Sequence, residues 1–153
     1  MSLFKSFIKT PVGKIGLLAD EEHLISLSFT DPDFKELKAK KNSDRFEDII
    51  LQLNQYFFEG RQAFDLEYKL LASDFQVAVY EEMLKIPYGK TTSYSDLSQQ
   101  IGKKKAFRAV GTACGKNPLP LIIPCHRVLG KNDLGGFTGG LNIKKFLLRL
   151  ERN

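Results

Sequence analysis

The sequence predicts an α+β protein in two parts, a small antiparallel meander with one packed helix over residues 1–70 and a mainly helical half over residues 71–153. Three observations carry this division. Short alternating apolar runs at 3–9, 14–19 and 24–29 are separated by turn residues, the signature of strands. After Ser73 the apolar spacing changes to the three-to-four-residue period of helices. The charge also changes: residues 1–70 hold 10 Lys and Arg against 12 Asp and Glu, a net −2, whereas residues 71–153 hold 13 against 6, a net +7. A basic half beside an acidic one suggests a polyanion as partner for the basic half, although basic chains without such a partner are common.

In the first half, Pro11-Val12-Gly13 and Asp20-Glu21-Glu22-His23 read as the turns between the strands. Ile25, Leu27 and Phe29 alternate with Ser26 and Ser28, giving the third strand one buried face. His23 lies in a charged turn and reads as a solvated surface residue. Asp31 to Asn42 is polar and lysine-rich and is expected to be a loop. Ser43 or Asp44 can cap a helix running to about Glu59, with Gly60 as its stop. Ile49, Leu53 and Phe57 form its apolar stripe. Phe64, Leu66, Tyr68 and Leu70 then alternate like a fourth strand. No carboxylate cluster suited to holding Mg²⁺ appears in this half, so it reads as scaffold.

The second half opens with Ser73-Asp74-Phe75-Gln76, a capping box. Its helix carries Phe75, Val79 and Met83 on one stripe and Val77, Tyr80 and Leu84 on another, and is expected to be largely buried. Pro87-Tyr88-Gly89 ends it. A second helix starts at Ser93 and runs to about Ile101, broken by Gly102. A third runs from about Ala106 to Gly115 after the basic turn Lys103-Lys104-Lys105. Two short helices around a glycine turn have the outline of a helix-turn-helix. The third helix presents Arg108, Ala109, Gly111, Thr112 and Ala113, and small side chains allow close backbone approach to a groove or to another helix. Beyond Arg108 it has none of the long side chains that read bases in the major groove. The last helix is amphipathic through Ile143, Leu147 and Leu150.

The chemistry points to Ile122-Ile123-Pro124-Cys125-His126-Arg127-Val128. One of two cysteines stands beside one of two histidines, after a proline that stiffens the backbone and before an arginine. A thiol has a pKa near 8.5, and a neighbouring base or cation raises the fraction present as the nucleophilic thiolate. A Cys-His dipeptide alone reads more simply as a buried cysteine beside a surface histidine. The wider string is more specific: Asn117-Pro118-Leu119-Pro120 precedes it and Gly135-Gly136-Phe137-Thr138-Gly139-Gly140-Leu141 follows it. Together these segments resemble the active-site signature of the O6-alkylguanine-DNA alkyltransferases, the methylated-DNA–protein-cysteine methyltransferases. The resemblance is detailed from Ser73 to Glu151 and looser before it.

The resemblance implies an RNase H-like first half without RNase H activity. It implies that the second half is a winged helix-turn-helix-like DNA-binding domain carrying the reactive cysteine. The implied reaction is direct reversal of damage. Cys125 attacks the alkyl carbon of O6-alkylguanine in duplex DNA, guanine leaves, and the thioether consumes one protein molecule per lesion. O4-alkylthymine is a second substrate class that the resemblance allows. No cofactor or metal is implied; some members hold zinc in the first half, but this chain has no cysteine before Cys114. The partner is double-stranded DNA bound along the minor groove, with the damaged base flipped out because its substituent is unreachable inside the duplex. No membrane and no obligate protein partner are implied, and a monomer is expected.

Residue by residue, the resemblance makes His126 the group that takes the thiol proton through a bound water, and Glu151 the acid that orients it. It makes Tyr94 the donor to guanine N3 and Asn117 the brace of the turn before the active-site strand. Arg108 becomes the finger that replaces the flipped base, with Ser93, Ala109, Gly111 and Thr112 along the DNA. The pocket would be formed by Tyr94, Cys114, Pro120, Val128, Phe137, Thr138 and Gly139, with 135–140 as a flexible wall. Without the resemblance, Glu151 reads as a fraying terminal residue, Tyr94 as core, and Arg108 as a phosphate clamp or surface ion pair. Two departures stand out. Phe137 replaces a frequent tyrosine, and Cys114 stands where some members have a methionine, as inert packing or an oxidation target.

Other classes fit less well. Non-catalytic alkyltransferase-like lesion binders lack the cysteine that is present here. A cysteine hydrolase would leave the helix-turn-helix unexplained, and a fused methyl sensor would need a further domain. Two cysteines do not make a disulfide framework. No Cys/His spacing matches a structural zinc site. No apolar run approaches the roughly 18 residues of a membrane span, and Met1-Ser2-Leu3-Phe4-Lys5 has no signal-peptide core. The expected location is the cytoplasm and nucleoid of a prokaryote, or the nucleus of a eukaryote.

Overall fold

The computed structural model describes residues 2–152. The chain divides into two compact units, Met1–Leu71 and Ala72–Asn153.

The first unit is a four-stranded sheet with one helix. Strands β1 (Phe4–Thr10) and β2 (Gly13–Ala19) pair antiparallel from Phe4 opposite Ala19 to Thr10 opposite Gly13. Gly13 turns the hairpin at φ +103°, open to glycine at little cost. Strand β3 (Leu24–Ser28) pairs with β2, with a register irregularity at Leu18/Ala19. Ile15, Leu17, Leu24 and Leu27 are buried with Leu53 and Phe57 of helix α1 (Glu47–Glu59) among the core residues. Gly60 ends α1 in the left-handed conformation at φ +76°.

Three expectations for this unit need correcting. The 31–42 segment is not all loop, because Lys40–Lys41 form strand β4, parallel to β1. Its ladder is made by backbone groups, Lys40 N–H to the Leu3 carbonyl (2.9 Å) and Asn42 N–H to Lys5 (3.0 Å), while both lysine side chains stay exposed. No apolar pattern could announce it. Neither Ser43 nor Asp44 caps α1: Asn42 Oδ1 accepts the Asp44 N–H at 3.1 Å and caps a 3₁₀ turn over Ser43–Phe46, which runs into α1 at Phe46 without a side-chain cap. The alternating stretch from Phe64 to Leu70 forms only a single bridge, Tyr68 with Leu24. Gln52 explains why alternation survives without a ladder. Its side chain accepts the Asp65 N–H and donates to the Asp65 carbonyl, both at 2.8 Å, the two bonds a neighbouring strand would supply.

The second unit is mainly helical. Helix α2 (Asp74–Met83) begins with the capping box, Ser73 Oγ accepting from Gln76 N–H and Gln76 Oε1 from Ser73 N–H. It buries Val79, Tyr80 and Met83 completely but leaves Leu84 41% exposed, so one face is covered rather than two stripes. Two-residue strand β5 (Thr92–Ser93) leads into helix α3 (Tyr94–Gln100), whose cap is Ser93. Gly102, at φ +77°, starts the turn to helix α4 (Phe107–Gly115). Tyr80 Oη donates to the Ala113 carbonyl at 2.8 Å, tying α2 to α4. Cys125–Arg127 form a 3₁₀ turn, and the expected active-site strand begins only afterwards as β6 (Val128–Leu129). β6 pairs parallel with β5, Thr92 beside Val128 and Ser93 beside Leu129, which brings the start of α3 next to the exit of the Cys125 turn. Helix α5 (Leu141–Arg152) closes the unit, burying Lys144, Leu147 and Glu151.

Candidate active site

The turn that presents Cys125 is fixed before the cysteine is reached. Leu119, Leu121, Ile122 and Ile123 are all buried. Asn117 braces the loop around them: its amide Nδ2 donates to the Ile123 carbonyl at 2.8 Å, and its Oδ1 accepts the Leu119 N–H at 3.0 Å. Leu121 is held at φ +76°, a strained value for a side-chain-bearing residue that costs on the order of 1–3 kcal/mol. The apolar cluster and the Asn117 brace together hold that geometry. Cys125 follows, 6% exposed, with its N–H bonded to the Ile123 carbonyl.

Burial pushes the Cys125 thiol up to about 11, against the pull of Asn117 hydrogen bonding and the Lys144 charge. At neutral pH the resting group is therefore the thiol, and a base must remove its proton as it reacts. The next residue in the chain is an imidazole. His126 is wholly buried, and its Nε2 lies 2.6 Å from Glu151 Oε2. A carboxylate accepts, so Nε2 carries the hydrogen and Nδ1 carries the lone pair. Nδ1 is buried and has no hydrogen-bond partner among the described residues. Burial lowers the His126 pKa more than Glu151 raises it, so the imidazole is neutral and able to accept a proton.

Glu151 is 4% exposed, not a fraying terminal residue. Arg127 donates from Nε to its Oε1 at 2.8 Å and from Nη2 to its Oε2 at 3.1 Å, a bidentate pair. Arg127 Nη1 also donates to the Ile86 carbonyl at 2.8 Å, and Gly89 N–H reaches Oε1 at 3.4 Å. The carboxylate is thus paired with a guanidinium and fixed in direction against His126. In the sequence Arg127 stands out only as the neighbour of the Cys-His pair; its spacing to Glu151 carries no recognisable signal.

Lys144 is the second residue that sequence reasoning missed. It occupies the buried face of α5 and donates to the Val128 carbonyl at 2.7 Å and the Gly136 carbonyl at 2.9 Å. It therefore links the exit of the Cys125 turn to the glycine-rich loop. Burial lowers its own pKa, and its charge favours ionisation of Cys125. A lysine within an amphipathic repeat normally reads as solvent-facing. Only the tertiary contacts show otherwise.

A cavity of about 470 Å³ opens onto Cys125. Gly111, Cys114 and Gly115 of α4 line it, with Tyr94 and with Gly136, Phe137 and Thr138 of the loop. Tyr94 Oη accepts the Gly136 N–H at 3.2 Å. Burial raises the Tyr94 phenol, so it stays protonated and able to donate. Gly135 sits at φ +70°, where an added Cβ would lie 2.6 Å from Tyr94 Oη and ring, so only glycine lets the loop pass. Thr138 Oγ1 donates to the Gly115 carbonyl at 2.7 Å, tying the loop to the end of α4. Cys114, 9% exposed, turns its Sγ towards Met83 Sδ at 3.8 Å, and burial raises its pKa to about 12. Three expected pocket residues lie outside this lining. Pro120 is buried in a bridge with Ile123, Val128 is fully buried in β6, and Gly139 lies past the lining segment.

Four of the five expected DNA-facing residues fall on one helix. Arg108, Ala109 and Thr112 are exposed on α4, Gly111 is half-buried, and Arg108 has its guanidinium 6.0 Å from the Phe107 ring. Ser93 is occupied as the cap of α3, accepting the Asp96 N–H at 3.0 Å.

Comparison with known proteins places both halves. Residues 3–70 match the ribonuclease-like domain of 6-O-methylguanine DNA methyltransferase, and residues 74–153 match its DNA-binding domain. The methylated-DNA–protein-cysteine methyltransferase of Methanosarcina barkeri is 39% identical over 162 residues, covering 99% of this chain and 98% of the relative. The Mycobacterium tuberculosis protein of that name is 39% identical over 149 residues, covering 95% and 90%. A crystal structure of the M. tuberculosis O6-methylguanine methyltransferase superposes with TM-score 0.91 at 37% identity, covering 98% of this chain and 93% of that one. A structure of the same protein in complex with DNA gives 0.91 at 38%, covering 97% and 92%. Both domains are matched in order, by relatives that align from end to end, and the chain belongs to the 6-O-methylguanine DNA methyltransferase family.

Proposed function

We propose that this protein repairs O6-alkylguanine in duplex DNA by accepting the alkyl group irreversibly on Cys125. The observation that carries the reading is a buried thiol lining a cavity, followed in the chain by a neutral imidazole that a carboxylate fixes on one nitrogen and whose other nitrogen keeps a buried lone pair. The Cys125 sulfur attacks the alkyl carbon, the carbon–O6 bond breaks, and guanine departs. The thiol proton passes to His126 Nδ1 through a bound water, and Glu151 stabilises the imidazolium that forms, the activated-nucleophile arrangement of a base oriented by an acid. One proton returns to guanine, so thiol and O6-alkylguanine become thioether and guanine. The Tyr94 hydroxyl donates a hydrogen bond to guanine N3 as negative charge develops on the ring.

The thioether resists hydrolysis, so each molecule acts once. The net +7 half and the small-residue face of α4 support binding along the minor groove without base-specific reading. Arg108, exposed on that face, is the group proposed to fill the gap left by the flipped base.

A titration tests the reading. Increasing amounts of duplex carrying O6-methylguanine are added to a fixed amount of protein, and the lesion removed is counted. Removal should stop at one lesion per molecule. Continued turnover, or no removal, would replace this reading with a hydrolytic or a purely lesion-binding one.

A further inference from the structure

We infer that Arg127 is a positioning residue for the reaction: it balances the charge of Glu151, so that His126 waits as a neutral imidazole able to take the Cys125 proton. The inference rests on the proposed transfer to Cys125 and adds a residue that acts on its base. Arg127 is 7% exposed and is not among the residues lining the cavity onto Cys125, so it works through Glu151 rather than on the substrate.

A buried carboxylate facing an imidazole has two possible states. With no third partner, a second proton on the ring gives a carboxylate–imidazolium pair of zero net charge, the better state for a dry site, because an unbalanced buried charge is costly. Such an imidazolium carries hydrogens on both nitrogens and cannot accept the thiol proton. Arg127 reverses the balance. Its Nε holds Glu151 Oε1 at 2.8 Å and its Nη2 holds Oε2 at 3.1 Å, and Oε2 is the oxygen that lies 2.6 Å from His126 Nε2. With the carboxylate already paired, a second proton on His126 adds an uncompensated positive charge. Lys144, buried on α5, acts on His126 in the same direction, so one negative group, Glu151, faces two positive ones. The Cys125 thiol and the Tyr88 phenol bring no charge, since burial keeps both protonated; the Tyr88 ring lies 5.8 Å from the guanidinium carbon. The remaining arm of Arg127, Nη1, donates to the Ile86 carbonyl at 2.8 Å, so the fork cannot swing away from Glu151. A lysine at 127 would keep the charge and lose the fork.

The test has two readouts in the full-length protein, wild type, Arg127→Gln and Arg127→Lys. Nitrogen NMR of the unreacted protein, in a His23→Gln background that leaves one histidine, reports the protonation of His126. Single-turnover transfer from duplex carrying O6-methylguanine is then followed from about pH 5 to 9, a span that brackets the ordinary imidazole value. The wild-type ring should be neutral at pH 7 with its hydrogen on Nε2. Arg127→Gln should carry an imidazolium at pH 7, and the midpoint of its rate profile should rise by about one pH unit or more, roughly a tenfold loss at neutral pH that recovers at high pH. A merely structural role would lower the rate at every pH and show no such recovery. Arg127→Lys should keep the wild-type midpoint, with a slower rate because the carboxylate is held by a point charge. A neutral ring in folded Arg127→Gln, or an unmoved midpoint, would overturn the inference. If Arg127→Gln does not fold, the wild-type spectrum decides, since an imidazolium there at pH 7 is equally contradictory. Absence of transfer in the wild type would remove the repair reading, while the spectra would still judge the role of Arg127.

Discussion

The two units bury polar side chains for different ends. In Met1–Leu71 the buried polar groups serve the backbone: Gln52 stands in for a strand beside Asp65, and Asp20 accepts the N–H groups of Glu22 and His23 in a turn. In Ala72–Asn153 Ser98 does the same for Ser95 and Lys104, but the charged groups and His126 gather near Cys125. His126, Arg127 and Glu151 interlock beside Cys125, and Lys144 holds the loop of the same cavity. Burying a charge is costly unless it is paired and hydrogen-bonded. Three buried charged side chains and a buried imidazole between His126 and Glu151 make a structural purpose alone a poor explanation. Buried polarity marks function only where it converges on a space that a ligand can enter.

The largest effect is expected at Cys125. Cys125→Ser should abolish transfer while leaving thermal stability and binding to damaged duplex close to wild type. Residual transfer in that variant would move the acceptor elsewhere.

Glu151→Gln should strike both chemistry and fold. It removes the charge facing His126 and leaves Arg127 buried without its counter-ion, which costs about 3–5 kcal/mol. Transfer per folded molecule should fall at least a hundredfold. The matched change in the other unit is Gln52→Ala, which leaves two backbone groups of Asp65 without partners at a cost of about 1–3 kcal/mol. Transfer per folded molecule should be unchanged. A rate loss in Gln52→Ala equal to that in Glu151→Gln would erase the distinction between the units.

The pH profile separates internal proton transfer from removal by bulk hydroxide. With the Cys125 thiol near 11, attack through free hydroxide would rise about tenfold per pH unit from 7 to 9. Relay through neutral His126 predicts a flat rate across that range. Because burial lowers the His126 pKa, the rate should begin to fall only below the ordinary imidazole value of about 6.5. Stability follows the same sign. The unfolded imidazole takes up a proton at higher pH than the folded one, so this contribution is present above about 6.5 and is lost as pH falls through the folded value.

Arg108→Ala should slow repair in duplex DNA about tenfold or more, since base extrusion costs a few kcal/mol and this residue is proposed to offset part of it. Reaction with free O6-benzylguanine needs no extrusion and should change little. Equal slowing of both substrates would assign Arg108 to the fold or the pocket.

The smallest contrast is between two glycines at the same φ sign. Gly60→Ala, with nothing within 4 Å of the new Cβ, should cost only the left-handed backbone, about 1–2 kcal/mol, with normal transfer in the folded protein. Gly135→Ala pushes on Tyr94 and should also depress transfer.

How far the sequence could be read follows the same division. The three antiparallel strands, α1, the capping box and the helix-turn-helix outline were legible because apolar period and cap residues act locally. Strand β4 was not, being held by backbone bonds between lysines whose side chains remain exposed. The Phe64–Leu70 alternation misled because half-burial of alternate side chains does not require a ladder. In the site, Cys125 and His126 were visible as a rare pair, and Glu151, Tyr94 and Asn117 only through family resemblance. Arg127 and Lys144 escaped because a charged residue reads as solvated until its partners, distant in sequence, are in place. The lining by Gly111 and Gly115 escaped for the opposite reason, since an absent side chain leaves no chemical signal, whereas Gly136 lies in the 135–140 wall that the resemblance implied.

The most direct test of the central claim is the intact mass of the protein before and after incubation with excess duplex carrying O6-methylguanine, followed by peptide mapping. The account predicts a gain of one methyl group per molecule, located on Cys125, with Cys114 unmodified. An unchanged mass while the lesion disappears, or a methyl group on Cys114, would contradict it.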